Sequence, residues 1–221
     1  MKDDRELEGE ALEGGLVASG KIVDKYRSAV FGVSLARLQN FHDAEDVAQT
    51  VFVEAFTKLD TFREPMNLGA WLRTIAIRRS IDLIRTRKEA VGIEEIESEA
   101  PDVENSDLRE QVLEAIGKLG KAQRETVTLY YINGYSVDEV ATMQESPVGT
   151  VKRRLHEARK KLKDEMMKTV EGVLKSEAPK EGFGERVRRM LDQYPHTTGG
   201  HIKGRLNEIR PELQRLGTKR T

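Results

Sequence analysis

Apolar residues recur at three- and four-residue spacing along most of this chain, and no stretch alternates apolar with polar as a half-buried strand would. The first helical pattern, from about Lys21, holds Val23, Tyr26, Val30 and Val33. Asn40 and Phe41 interrupt it, and His42-Asp43 opens a second helix with acids in its first turn, where the helix dipole favours them. That helix aligns Val47, Val51, Ala55 and Leu59 on one line and Ala48, Phe52 and Phe56 on the next. So broad an apolar face needs partners on two sides, as in a bundle. Asp60 to Asn67 contains Pro65 and reads as a loop. A third helix, about Leu68 to Arg87, turns Leu68, Trp71, Leu72, Ile75 and Leu83 inward and Arg73, Arg78, Arg79, Arg85 and Arg87 outward.

A second helical unit opens at Ser106, a plausible cap, and runs through Leu108, Val112, Leu113, Ile116 and Leu119 to a break at Gly120. Ala122 to Asn133 follows with Val127, Leu129 and Tyr130, and Gly134 closes it as a C-cap. Two short helices then flank a tight polar interruption, Gln144-Glu145-Ser146. Ser136 with Glu139 has capping-box spacing before Val137, Val140 and Ala141. Ser146 followed by Pro147 predicts a hydroxyl N-cap with proline at the first helical position. Val151, Leu155, Ala158 and Leu162 continue that last helix. The expected fold is all-α: two small helical domains, the second ending in a helix-turn-helix, plus a short helical C-terminal extension.

Charge sharpens this picture by its distribution rather than its sum, since 37 Lys and Arg nearly cancel 38 Asp and Glu. Val151 to Lys163 carries Lys152, Arg153, Arg154, Arg159, Lys160, Lys161 and Lys163 against one acid, Glu157. A helix-turn-helix with so basic a second helix suits the phosphate-lined major groove of duplex DNA. Val148, Gly149 and Thr150 are small enough to let its N-terminal end approach base edges. Glu89 to Asp107 holds eight acids, no base and Pro101, a linker composition. These shifts divide the chain into an acidic lead-in (1–20), a first module (21–88), the linker (89–107), a second module (108–168) and an extension (169–221).

Several classes of function are disfavoured. The chain has no cysteine, so disulfides and thiolate metal sites are excluded. The four histidines, His42, His156, His196 and His201, are scattered, and no nucleophile–base pairing or phosphate-binding glycine loop occurs, so neither an enzyme nor a cofactor is expected. No run approaches the ~18 apolar residues of a membrane span. The acidic N-terminus lacks the basic-then-apolar pattern of a signal peptide, so no membrane insertion and a cytoplasmic location are expected. In the extension, Glu185 to Gln193 and Ile202 to Leu216 are helical candidates with a basic excess, readable as an extra contact or a solvated appendage.

Both modules resemble extracytoplasmic-function (ECF) sigma factors of the sigma-70 family, bacterial RNA polymerase specificity subunits. The resemblance lies in DAEDVAQTVFVEAFTKLDTF (43–62) and WLRTIAIRRSIDLIR (71–85), then Arg124-Glu125, YSVDEVA (135–141), PVGTVK (147–152) and ARKKL (158–162). It covers about Lys21 to Lys163 and leaves both ends without a counterpart. After the Ile75-Ala76 pair, where the family usually has Arg-Asn, this chain has Ile77-Arg78.

The resemblance implies that residues 21–88 bind core polymerase and the −10 promoter element, and that residues 108–168 bind the −35 element. Asp43, Glu45, Asp46 and Gln49 would be exposed on the polymerase-docking helix, with Phe52 close by. Arg63 and Asn67, in the loop shaped by Pro65, would serve the −10 element together with Trp71, which would stack on a base or sit in the core. Arg73, Arg78, Arg79 and Arg85 would hold phosphates of the separated strand. On the recognition helix, Pro147, Val148, Gly149 and Thr150 would lie near base edges, and Lys152, Arg153, Arg154 and His156 would contact bases or phosphates. Arg159 and Lys160 would take phosphates. The linker would thread basic polymerase channels. Implied partners are bacterial core RNA polymerase, promoter duplex, the melted non-template strand and an anti-sigma protein. Alternatives are a stand-alone helix-turn-helix regulator, or a sigma factor autoregulated by its tail.

Overall fold

A computed structural model describes residues 15–58, 68–91, 106–132, 134–180 and 182–191. The lead-in up to residue 14, Arg63 and Asn67 with the rest of 59–67, linker residues 92–105 and the candidate helix at 202–216 lie outside the described residues. The elements are α1 (Gly15–Leu38), α2 (Phe41–Thr57), α3 (Leu68–Val91), α4 (Ser106–Gly117), α5 (Lys121–Ile132), α6 (Val137–Met143), α7 (Val148–Glu177) and α8 (Phe183–Leu191). Among the described residues there is no strand.

Local chemistry fixes most of the ends. Gln39, at φ +52, closes α1 by donating its amide to the Leu35 carbonyl. Asn40 then caps α2 by accepting the Asp43 amide at 3.0 Å, so this helix opens one residue before His42. Helix α1 begins at Gly15, inside the stretch read as lead-in. Tyr26, Val30 and Val33 of α1 are buried with Val47, Val51, Phe52 and Phe56 of α2 and Leu68, Leu72 and Ile75 of α3, which together form the first bundle.

In the second module the Ser136–Glu139 capping box forms with both of its hydrogen bonds. The turn after α6 places Glu145 at φ +48 and returns the Ser146 amide to the Ala141 carbonyl, closing α6 in the manner of a Schellman motif. The expected Ser146 cap does not form. Its hydroxyl donates to the Gln144 carbonyl at 3.1 Å, and Pro147 itself is the N-cap at φ −57, ψ 141. A proline ring is preset for that extended geometry, and the Pro147 carbonyl accepts the Thr150 and Val151 amides.

Helix α7 runs on to Glu177, interrupted only by Lys163 at φ 63, ψ 159. Its second half buries Met167, Val170 and Leu174, and Arg109 of α4 donates to Glu177 at 2.7 Å. The boundary read at residue 168 therefore falls inside a helix, which continues through Gly172. After buried Pro179, α8 returns to the first bundle. It spans Phe183–Leu191, two residues ahead of the helix read at 185–193.

The two modules also meet each other, with α5 lying along α1 and α6 reaching α3. Tyr135 donates its hydroxyl to the Lys25 carbonyl at 3.0 Å, and Gln39 donates to the Leu113 carbonyl at 3.2 Å. A Cβ at Gly117 would stand 2.7 Å from Gln39 Nε2, so glycine permits this approach. Arg124 donates to the Ile116, Gly117 and Leu119 carbonyls at the end of α4 and to Ala36 of α1. Burial, helped by the nearby Arg37 charge, pulls its guanidinium below the ordinary arginine range. One arginine thus finishes a helix of its own module and ties that module to the other.

Candidate functional site

The exposed basic surface of the second module follows from the pitch of α7. Val151, Leu155, Ala158 and Leu162 face the core, which leaves Lys152, Arg153, His156 and Lys160 exposed on the far side. Among the described residues these four have no hydrogen-bond or ion-pair partner. At the helix start Pro147 and Gly149 are exposed and Val148 and Thr150 are half-buried, and nothing stands within 4 Å of a Cβ built at Gly149. A rigid base or backbone can therefore come close there.

Three other cations of the basic stretch make contacts within the module. Arg154 is half-buried and donates to Gln144 Oε1 at 3.1 Å. Gln144 also accepts from Thr126 at 3.0 Å and donates to Glu125 at 3.3 Å. Arg159 donates to the Tyr131 hydroxyl at 3.1 Å, and that hydrogen bond raises its pKa. Lys161 donates to Gln123, which in turn donates to Glu157 at 2.7 Å, so the one acid of the stretch faces α5. The sequence groups all these bases together. The structure separates half-buried Arg154 from bases that all reach solvent, and among the latter Arg159 and Lys161 also brace the helix.

The arginines of α3 are less available than their outward spacing implies. Arg73 donates to Glu125 at 2.5 Å, and Arg37 reaches the same carboxylate at 3.3 Å. Arg78 and Arg79 both donate to Glu54, and Arg87 grips Asp43 through two hydrogen bonds of 2.5 and 2.7 Å. Arg85 is exposed and, among the described residues, is paired only with Glu89 one turn on, at 3.4 Å. Trp71 is half-buried and packs on the core. The cause of the inward turn is a set of acids held in the packing, since buried carboxylates demand cationic partners. Burial alone would push the Glu54 carboxyl up. Hydrogen bonds from Lys58 and Arg79, with the charges of Arg79 and Arg78, outweigh that effect and hold it below the usual carboxylate range.

The face of α2 expected to be open is mostly covered. Asp46 is exposed, with His42 at 3.6 Å. Asp43, however, is buried under Arg87, and Gln49 is half-buried. Glu45 is half-buried and pairs with Arg186 of α8. Phe52 is fully buried, with Phe183 of α8 standing edge-on at 6.0 Å between ring centroids. Sequence reasoning missed Glu54, Glu125, Gln144, Phe183 and Arg186. Only the Phe183–Val187–Leu191 spacing offered a signal, a helical apolar stripe inside the extension. No group of His, Asp and Glu among the described residues is arranged to hold a metal, and no described helix is long and apolar enough to cross a membrane.

Comparison with known proteins matches both modules. Residues 22–90 match Sigma-70 region 2, and residues 109–162 match Sigma-70, region 4. The chain is 31% identical over 166 residues to the ECF RNA polymerase sigma factor SigW of Bacillus subtilis, covering 67% of this chain and 89% of that one. It is 28% identical over 176 residues to the RNA polymerase sigma-H factor of Pseudomonas aeruginosa, covering 72% and 91%. A solved structure of CnrH in complex with the cytosolic domain of CnrY aligns with a TM-score of 0.50 at 30% identity, over 72% of this chain and 94% of that one. The extension lies beyond the residues of the region 4 match.

Proposed function

The chain belongs to the ECF RNA polymerase sigma factors, and from that premise we propose how it divides promoter recognition between its modules. As a sigma factor it serves promoter-specific transcription initiation. In our reading, α7 enters the major groove of the −35 element, and the α2–α3 module binds core polymerase and opens the −10 element. The observation that carries the first half is the solvent-facing set Lys152, Arg153, His156 and Lys160 on a helix whose opposite side is core. The small residues Val148, Gly149 and Thr150 admit a close approach at its start, and the free first-turn amides suit a phosphate. Arg154 and Arg159 act mainly as braces that fix the angle of the helix, a positioning role that phosphate contacts can share.

At the −10 element, Arg85 is the cation best placed to meet a strand phosphate directly. Arg73, Arg78 and Arg79 contribute once a phosphate displaces Glu125 or Glu54 from them. Arg63 and Asn67 complete the strand path, with Trp71 at its core-facing edge. Asp43, Glu45, Asp46, Gln49 and Phe52 form the polymerase-docking side of α2, where acids around an aromatic centre fit a basic partner with an apolar middle. An anti-sigma protein is a further proposed partner, on the analogy of CnrH held by the cytosolic domain of CnrY.

Binding of the chain with core polymerase to promoter DNA and to its single-base variants tests the division. Arg153→Ala should cost about 1–3 kcal/mol on the parent promoter and relax preference at one −35 position. An equal loss on every variant would reduce Arg153 to a phosphate contact, and no loss would remove it from the interface.

A further inference from the structure

Helix α8 occupies part of the side of α2 that the proposed function gives to polymerase, at Glu45 and Phe52, and resting on that reading we propose that α8 is a built-in competitor for that surface. The stem is held by Arg27, which donates to the Lys180 carbonyl at 3.5 Å. Phe183 is wholly buried against Phe52, and Val187 and Leu191 follow at helical spacing, buried on the same side. Arg186 pairs with Glu45 while its guanidinium lies 5.7 Å from the Phe183 ring centroid.

A partner docking on Glu45 and Phe52 must offer a cation beside an apolar group. Arg186 and Phe183 offer that pair from within the chain. Both occupants need the same carboxylate and the same aromatic ring, so they exclude each other.

The seat of α8 suits a segment that must leave. A cleft of about 300 Å³ remains between it and the first bundle, lined by Val23, Asp24, Arg27, Phe56, Val187 and Leu191 among others. Its packing is therefore less complete than in the core beneath, where removing such voids is what stabilises a contact. Half-exposed Arg186 and Glu45 can likewise exchange partners without stranding a buried charge. A competitor that covers the site most of the time reduces apparent affinity by the fraction of molecules left open.

The test is titration of full-length chain into core polymerase, read as equilibrium affinity, for the wild type, Phe183→Ser and Arg186→Glu. Neither substitution alters α2. Arg186→Glu changes a half-exposed side chain and is expected to keep the fold, which circular dichroism checks, so it carries the test even if Phe183→Ser loosens the bundle. Both variants should bind polymerase about tenfold more tightly or better, the gain expected when a site covered nine-tenths of the time is opened. Equal affinity for the wild type and Arg186→Glu would overturn the competitor while leaving the proposed polymerase contact standing. Absence of binding by all three would overturn that contact and the competitor with it.

Discussion

Glu125 accepts hydrogen bonds from Arg73 and Gln144 and pairs with Arg37, so one carboxylate joins three helices across the two modules. Glu125→Ala would leave two half-buried guanidinium groups facing each other, and should lower stability by about 2–4 kcal/mol, as when one partner of a buried pair is removed. Chemical denaturation measures it, and a loss below about 0.5 kcal/mol would mean that the pairs are surface-like. Glu54 makes a pH-dependent contribution. Its folded pKa is depressed, so the stability it provides is complete above the unfolded value of about 4.3 and is lost as pH falls through the lower folded value. The stability gap between the wild type and Glu54→Gln should therefore be widest near neutrality and narrow as pH falls below the unfolded value and through the lower folded one. Neither acid was legible in the sequence as an acceptor. Pattern reading assigns charges to the outside, and nothing local marks Glu54 or Glu125 as the exception.

Helices were the legible level, because each is set by residues three or four apart. The buried stripes of α1 and α7, and of α2 as far as it is described, are those the spacing gives, whereas in α5 Tyr131 and Ile132 are buried and Tyr130 only half-buried; the Ser136–Glu139 box forms as read. The misreadings fall where a side chain had two options. Ser146 bonds back to Gln144 because Pro147 already supplies the cap geometry. The boundary read at residue 168 fails because buried Met167, Val170 and Leu174 carry the helix on through it. Nothing in the local sequence marks the interruption at Lys163. Its φ of 63° and ψ of 159° lie in a region that glycine occupies freely and other residues only under strain. Lys163→Gly should therefore raise stability by about 1 kcal/mol, measured by thermal melting. A decrease would mean that a continuous helix, which glycine weakens, runs through this position in solution.

For the molecule as a whole, the sequence specified two helical modules but not how they sit together. Arg37 and Arg73 find Glu125 across 88 and 52 residues, and Phe52 finds Phe183 across 131. Pairings at that range depend on the assembled shape and leave no local trace. Their consequence is an arrangement in which the second module holds an α3 arginine and the extension covers part of α2, while the side of α7 that carries Lys152, Arg153, His156 and Lys160 stays open to solvent. On the proposed division of labour, promoter binding and polymerase binding would be gated separately.

The most direct test of the division of labour uses the absence of cysteine from the chain. A single cysteine placed at His156 or at Arg85 can carry a DNA-cleaving reagent into the complex with core polymerase and promoter. His156→Cys should direct cutting to the −35 element, and Arg85→Cys should direct it to the −10 element. Cutting by both at one element, or by His156→Cys anywhere but upstream, would contradict the account.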